Sequence, residues 1–364
     1  GARAAFGVIL VTTKSGKSGK AKVSYNGNVR FSDALCVPEM MDSYQFALYF
    51  NRAAENAGDS GPFSQEALDR ILAYQAGTLK ETMTMNEQTR KWQAYGGANA
   101  NTDWFKETLK PWSPQTYANA TIDGGTDNMT YFVSVSAKTQ DGFYRNSGTK
   151  YNQYDLKSNL DLKLNKYINL FMNLTGRMED RKYPTRSSEN IFRMLMRSKP
   201  NMPAYWPNGL PGPDIEFGDN PVVIATDATG YERDKRYILN GDFGVNINVP
   251  YVEGLTLKAT ASLDKNFRFR KIWQTPWTLY SWDGTSMDEN NNPLLVEGKK
   301  GFSDPRLRES MEDNQNILLS GIINYNRTFA ENHSVNVLAG AERITGKGDS
   351  FEAFRRYFIS TAID

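Results

Sequence analysis

The sequence predicts an all-β fold, a transmembrane antiparallel up-and-down β-barrel of which about nine strands are present, with short helices in the connections. Three observations predict it. Apolar and polar residues alternate with period two in segments of 9 to 16 residues, the mark of strands with one apolar and one polar face. The connections between those segments run 83, 4, 12, 2, 57, 5, 44 and 4 residues, so every second one is long. The 364 residues hold 45 aromatic side chains and 32 asparagines, but no apolar run long enough for a spanning helix. A meander with its long connections at one end is the layout of a membrane barrel with short periplasmic turns and long outer loops. A sandwich in water has no reason to sort loop lengths by end.

The elements follow in order. Strand 22–32 rises into an 83-residue connection, 33–115, expected on the outer side. Two helices are predicted there: one capped by Ser43, with Tyr44, Ala47, Leu48 and Asn51 at helical spacing, and one capped by Ser64 over Gln65 to Ala76, with Gly77 past its end. Strands 116–124 and 129–139 form a hairpin across Gly125 to Asn128. Strands 152–164 and 167–179 form another across Asn165-Lys166. In the first of these, Leu156, Leu160, Leu162 and Leu164 share a face with Tyr154 and Ser158, opposite Asp155, Lys157, Asn159, Asp161 and Lys163. The long connection 180–236 carries a helical pattern over Ser188 to Arg197, stopped before Pro200. Strand 237–249 alternates Leu239, Phe243, Val245 and Ile247 with Asn240, Asp242, Asn246 and Asn248, and strand 255–270 follows in the same style. A third long connection, 271–314, precedes strands 315–328 and 333–345.

The polar face predicts a water-filled lumen, with Lys157, Asp161, Asn240 and Asp242 pointing into it. Composition excludes other classes. A net charge of +2 with many aromatics is not that of a disordered chain, and it does not suggest wholesale nucleic-acid binding. The single Cys36 excludes a disulfide scaffold, and the single His333 excludes a His-pair metal centre. No cofactor or enzyme activity is expected.

Candidate chemistry is sparse. Gly16-Lys17-Ser18 resembles a phosphate loop, but Val11 stands where that signature needs glycine, which leaves a basic hinge. Asp283, Asp288 and Glu289 beside Asn290 to Asn292 do not have the spacing of an EF-type calcium loop. Trp273, Trp277, Tyr280 and Trp282 cluster after the seventh strand. They suit a sugar-stacking platform above the lumen, an interfacial girdle or loop packing, or contact with a lid protein. Trp206, in the proline-rich stretch from Pro200 to Pro213, is a similar candidate. The competing function class is a soluble β-rich carbohydrate-binding module or glycosidase.

The opening Gly1-Ala2-Arg3-Ala4-Ala5-Phe6-Gly7-Val8-Ile9-Leu10-Val11-Thr12-Thr13-Lys14 resembles the end of the plug domain of TonB-dependent outer-membrane transporters in their SusC/RagA form, with Gly1, Arg3, Gly7 and Thr13 carrying the motif and Phe6 departing from it. Lys22 to Gly27, Asn101-Thr102-Asp103-Trp104, the hairpin Ile122 to Tyr131 and the stretch His333 to Glu342 are similar to the same family. The resemblance implies residues 1–20 as plug end and hinge, and 21–364 as the first part of a barrel of about 22 strands. It implies import of an oligosaccharide, or of a peptide, across the bacterial outer membrane. The implied partners are a SusD-like lipoprotein lid and the TonB–ExbB–ExbD complex, the latter acting through a region that precedes residue 1. With Gly at position 1 and no leader, the chain reads as an interior piece of a longer polypeptide.

Overall fold

The computed structural model describes residues 14–83, 85–86, 91–92, 98–206, 208–212, 214–290 and 293–359. β1 (Gly19–Ser32) leads to α1 (Ser43–Asn56), α2 (Gln65–Gln75), the two-residue strands β2 (Met85–Asn86) and β3 (Lys91–Trp92), and α3 (Trp104–Thr108). Then come β4 (Ser113–Gly125), β5 (Met129–Asp141), β6 (Lys150–Lys163) and β7 (Ile168–Tyr183), followed by α4 (Ser188–Arg197), α5 (Pro221–Ile224) and a 3-10 turn, Asp227–Thr229. The chain continues through β8 (Gly230–Asn248), β9 (Leu255–Gln274), β10 (Trp277–Met287), β11 (Pro293–Lys300), β12 (Arg306–Phe329) and β13 (His333–Arg356).

The nine expected strands form one antiparallel sheet in the order β1-β4-β5-β6-β7-β8-β9-β12-β13. Each strand pairs with its neighbour in the chain, short connections or long. Directly paired residues share a face, so the register fixes both faces. Tyr154 pairs Met178, Met178 pairs Tyr237, and Tyr237 pairs Phe267. Leu160, Met172, Phe243 and Ala261 form a second apolar row on the same side. One residue along, Asn159, Asn173, Asp242 and Ser262 form a polar row on the other side.

The sheet is staggered. The register row starting at Met129, the first residue of β5, runs through Leu162, Leu170, Val245, Ala259 and Gly321 to Ala341. Ala341 stands eight residues above His333, where β13 begins. Six strand steps thus drift by eight residues, about 1.3 each. With ~3.3 Å per residue and ~4.8 Å between strands, that is a tilt of roughly 40–45°, within the range of closed barrels. The apolar face of β7, Ile168 to Met178, is ten residue steps long. At that tilt it rises about 25 Å, the height of a lipid-facing barrel band.

The strands outrun the sequence pattern at the loop end. β8 starts at Gly230 rather than 237, β12 starts at Arg306 rather than 315, and β13 runs to Arg356 rather than 345. Glu232 to Arg236 and Arg306 to Asn314 carry polar residues on both faces, so the period-two signal vanishes although the backbone ladder continues. The connection 271–314 also holds the β10–β11 hairpin. α1 is capped by Asp42 rather than Ser43, its carboxylate accepting the Gln45 N–H at 2.8 Å. α2 is capped by Ser64, and Gly77 follows it at φ +74°.

The long connections build a core of their own. Trp104 and Phe105 of α3, Ile191, Met194 and Leu195 of α4, Val222 to Ile224 of α5, and Trp277 and Leu279 of β10 form one buried cluster. Three separate connections therefore close into one cap at the loop end. Burying side chains of this size contributes about 1.5–3 kcal/mol each.

Candidate functional site

The polar face of the sheet and the cap above it form the candidate site. Lys157, Asp161, Asn240 and Asp242 all lie on that face, in register with Thr175, Phe171, Thr175 and Asn173 of β7. Asn240 Nδ2 donates to Asp264 Oδ1 at 2.6 Å. The segment 14–18 lies against the same face. Asn159, only 3% exposed, donates through Nδ2 to the carbonyl of Lys14, and Ser18 Oγ donates to Asp127 Oδ1 at 3.2 Å. Gly16 passes so close to β5 that a Cβ there would stand 2.4–2.6 Å from Tyr131 backbone atoms. Glycine is needed for that approach. Gly1, Arg3, Gly7 and Thr13 lie outside the described residues.

Toward the loop end, the polar face becomes a ladder of ion pairs. Arg177 Nε donates to Asp155 at 2.6 Å, and Arg181 reaches Glu179 at 2.8 Å. Arg268 holds Asp234 bidentately at 2.9 and 2.8 Å and lies 3.5 Å from Glu312. Arg270 holds Glu232 at 2.7 Å, and Arg308 holds Glu352 at 2.8 Å. Glu179 and Asp234 are buried, and their guanidinium partners offset the cost of that burial. The exposed pairs contribute about 0–1 kcal/mol each. Tyr151 lies between Arg181 and Lys138, 5.2 and 5.6 Å from its ring centre.

Of the aromatic residues predicted as a platform, Trp277, Trp206 and Tyr280 pack into the cap, whereas Trp273 belongs to the wall strand β9. Trp277 is buried, donates its indole N–H to the Gly218 carbonyl at 2.9 Å, and carries the Arg186 guanidinium 5.4 Å from its ring centre. Trp206 is buried and donates to the Tyr280 carbonyl at 2.8 Å. Tyr280 packs partly buried against the small core of Met83, Ala98 and Trp206. Trp273 is 2% exposed and meets Phe358 edge-on at 5.0 Å. The backbone of Trp282 pairs with Leu295, and its side chain lies outside the described residues. Aromatic bulk with a satisfied indole N–H is cap packing.

The structure brings together residues that the sequence pattern did not single out. A cavity of about 640 Å³ opens between the cap and the top of the wall, lined by Tyr144, Tyr183, Arg186, Phe192 and Glu232 among others. Arg186 is anchored by the buried Asp219, and Tyr144 Oη donates to Ser188 Oγ at 3.2 Å. These side chains come from three connections and two strand ends, so no local spacing marks them. Of the remaining sequence candidates, Cys36 and His333 are exposed, and Asp288 accepts the Asn290 N–H in a turn.

A staggered, two-faced meander with a chain segment on its polar side and all its long connections at one end is part of the wall of a plugged membrane β-barrel. By sequence the chain is similar to TonB-dependent receptors, SusC among them. It is 25% identical over 352 residues to TonB-dependent receptor P26 of Formosa agariphila, which covers 94% of this chain and 29% of the relative. It is 25% identical over 273 residues to TonB-dependent receptor SusC of Bacteroides thetaiotaomicron, covering 69% of this chain and 23% of SusC. No family model matches. In fold it is similar to the RagAB peptide importer in the open-open state, with a TM-score of 0.72 at 19% identity over 99% of this chain and 38% of that one. The closed-closed state gives 0.68 at 19% identity, over 96% and 37%. The chain thus spans less than a third of the length of these sequence relatives.

Proposed function

We propose that this chain supplies the first part of the barrel wall, with the end of the plug at residues 1–20, in a TonB-dependent transporter importing a nutrient across the bacterial outer membrane. The observation that carries the reading is the pairing of an apolar face about 25 Å tall with a polar face that holds the segment 14–18 through Asn159. In this reading Lys157, Asp161, Asn240 and Asp242 face the lumen, and the connections, which the strand bounds shorten to 33–112, 184–229 and 275–305, lie outside the cell. A SusD-like lipoprotein covers the cap, and TonB–ExbB–ExbD supplies energy through the N-terminal region of the whole protein. No bond chemistry is required of the chain.

The lead substrate is an oligosaccharide. Trp206, Trp277 and Tyr280 then act through the shape of the cap, Trp273 packs on the wall, Trp282 stays a candidate sugar contact, and further sugar contact falls to the cavity lined by Tyr144, Tyr183 and Phe192. A peptide is the second reading, favoured by the guanidinium–carboxylate ladder below that cavity and by the likeness to a peptide importer.

The test is uptake by cells carrying the full-length gene or its deletion, fed labelled oligosaccharides and labelled peptides in parallel. Loss of one uptake on deletion assigns the substrate class. A full-length product found only in the soluble fraction sinks the transporter reading and favours the soluble carbohydrate-binding class.

A further inference from the structure

We propose that the apolar face of the wall carries a built site for a phosphorylated, acylated glycolipid of the outer leaflet. An aromatic-walled groove takes an acyl chain, and a row of cations above it takes the phosphates. The proposal rests on the outer-membrane reading given above.

The groove is on the lipid side of the sheet. A depression of about 710 Å³ is walled by Tyr25, Tyr154, Tyr237 and Phe267 and floored by small residues such as Ala118 and Gly176. Register puts all six on the apolar face. Small residues between large rings leave a depression that is almost wholly apolar.

The cations lie directly above. Lys150 pairs Lys182, Lys182 pairs Arg233, and Arg233 pairs Lys271 across β6, β7, β8 and β9. All four are on the apolar side, and Lys182 stands four residues beyond Met178, ~13 Å along the strand. Adjacent strands are ~4.8 Å apart, so the row is about 15 Å wide. Like charges placed directly opposite destabilise a sheet unless something neutralises them.

Protein carboxylates do part of that. Asp227 holds Lys182 at 2.7 Å, and Asp180 holds Arg233 at 2.9 and 2.6 Å. Glu309 stands opposite Lys271. Asp141 stands opposite Lys150 but lies 3.7 Å from Lys110. Lys150 is exposed and has no ion-pair partner among the described residues, and Lys235 adds a fifth cation two residues below Arg233, opposite Asp180. The remaining positive charge sits where the long connections place the outer leaflet's headgroups. A headgroup with two phosphates set across a disaccharide spans such a row, and its acyl chain continues down into the groove. Phosphate contacts of this kind are charge-assisted and short.

The experiment uses the full-length protein purified in mild detergent and read by native mass spectrometry. It is titrated with diphosphorylated lipid A, with the same lipid dephosphorylated, and with inorganic phosphate. The diphosphorylated lipid should bind at one per protein, and the dephosphorylated one at least about tenfold more weakly. K150Q/K182Q/K271Q should weaken the first by about tenfold or more and leave the second unchanged. Gly176→Phe should weaken both lipids, because a Cβ at Gly176 meets nothing within 4 Å and the ring has room to fill the groove. Lys258→Gln, on the opposite face of β9, should change neither. Equal binding of the two lipids, unchanged binding by the triple variant, or inorganic phosphate competing as well as the lipid would each overturn the proposal. The purified protein is titrated whatever its origin, so its absence from the outer-membrane fraction would refute the location alone.

Discussion

Replacing Leu160 with arginine should cost the wall about 2–4 kcal/mol, while reversing Lys157 to glutamate on the same strand should cost little. The two residues are three apart on β6 and so lie on opposite faces. The magnitude follows from depth. The apolar face of β6 runs from Tyr154 to Leu164, and Leu160 stands next to its middle, in one register row with Met172 and Phe243. An arginine there meets hydrocarbon on its own side, and snorkelling to either edge takes it past two rows of apolar side chains. The same substitution at Tyr237, in the last apolar row below Lys235, should cost only about 0–1 kcal/mol. At about 1.4 kcal/mol per tenfold, Leu160→Arg shifts the folding equilibrium by roughly 30- to 1,000-fold, and Tyr237→Arg by less than about tenfold. The assay is refolding of the full-length protein into lipid vesicles over a guanidinium series, with the folded fraction read by heat-dependent gel mobility. Equal costs at Leu160 and Tyr237, or a greater cost for Lys157→Glu than for Leu160→Arg, would show that this face does not meet lipid.

Further outcomes are expected elsewhere. Leu195→Ala, in the shared core of the three long connections, should destabilise the cap by about 2–5 kcal/mol; limited proteolysis should then cut connections 33–112 and 184–229 faster while the wall still inserts. Gly16→Val should lift the segment 14–18 from β5, because its Cβ falls on Tyr131 backbone atoms, and hydrogen exchange at residues 14–18 should rise; unchanged protection would contradict the contact. The Arg356 hydrogen bonds hold the Asp304 carboxyl well below its usual range, with Arg306 adding attraction. A depressed folded value gives stability that is present above the unfolded value near 4 and lost only as pH falls toward the folded one. The gap in midpoint between wild type and Asp304→Asn should therefore hold steady from pH 8 to about pH 5 and narrow in stronger acid; a gap that grows with acid would contradict the pairing.

What the sequence made legible is what repeats. Leu156 to Leu164 against Asp155 to Lys163 is a pattern that only a two-faced strand makes, and hairpin links as short as Asn165-Lys166 leave one partner available. The sheet order could therefore be read without a structure. The pattern fades where both faces meet water. Between Glu232 and Arg236 nothing alternates, yet those residues are strand, tied sideways by Arg268 and Arg270. The cap is illegible for another reason. Trp104, Ile191, Ile224 and Trp277 meet in one core, but they are up to 173 residues apart in the chain, and no period connects them. A tryptophan run after a strand looks the same in sequence whether its rings face a ligand or one another.

The mean hydropathy of −0.59 shows why averages mislead for this architecture. A wall strand crossing the bilayer at roughly 40–45° needs about 11 residues, and only every second one meets lipid. Nine strands then require about 50 lipid-facing apolar residues in 364. The remaining residues are free to be polar, and most must be, because they face a wet lumen, extend beyond the bilayer or build the connections. Trp104, Phe105, Trp206 and Trp277 can therefore build the cap without weakening the membrane band. Membrane affinity in this chain is therefore a property of one face, set by register. A one-residue slip between β6 and β7 would turn Met172 inward and Asn173 outward. The link from Leu164 to Tyr167, longer than the two residues the sequence pattern suggests, still leaves little room for such a slip, because Asn165 Oδ1 accepts the N–H groups of Tyr167 and Ile168 and fixes the turn.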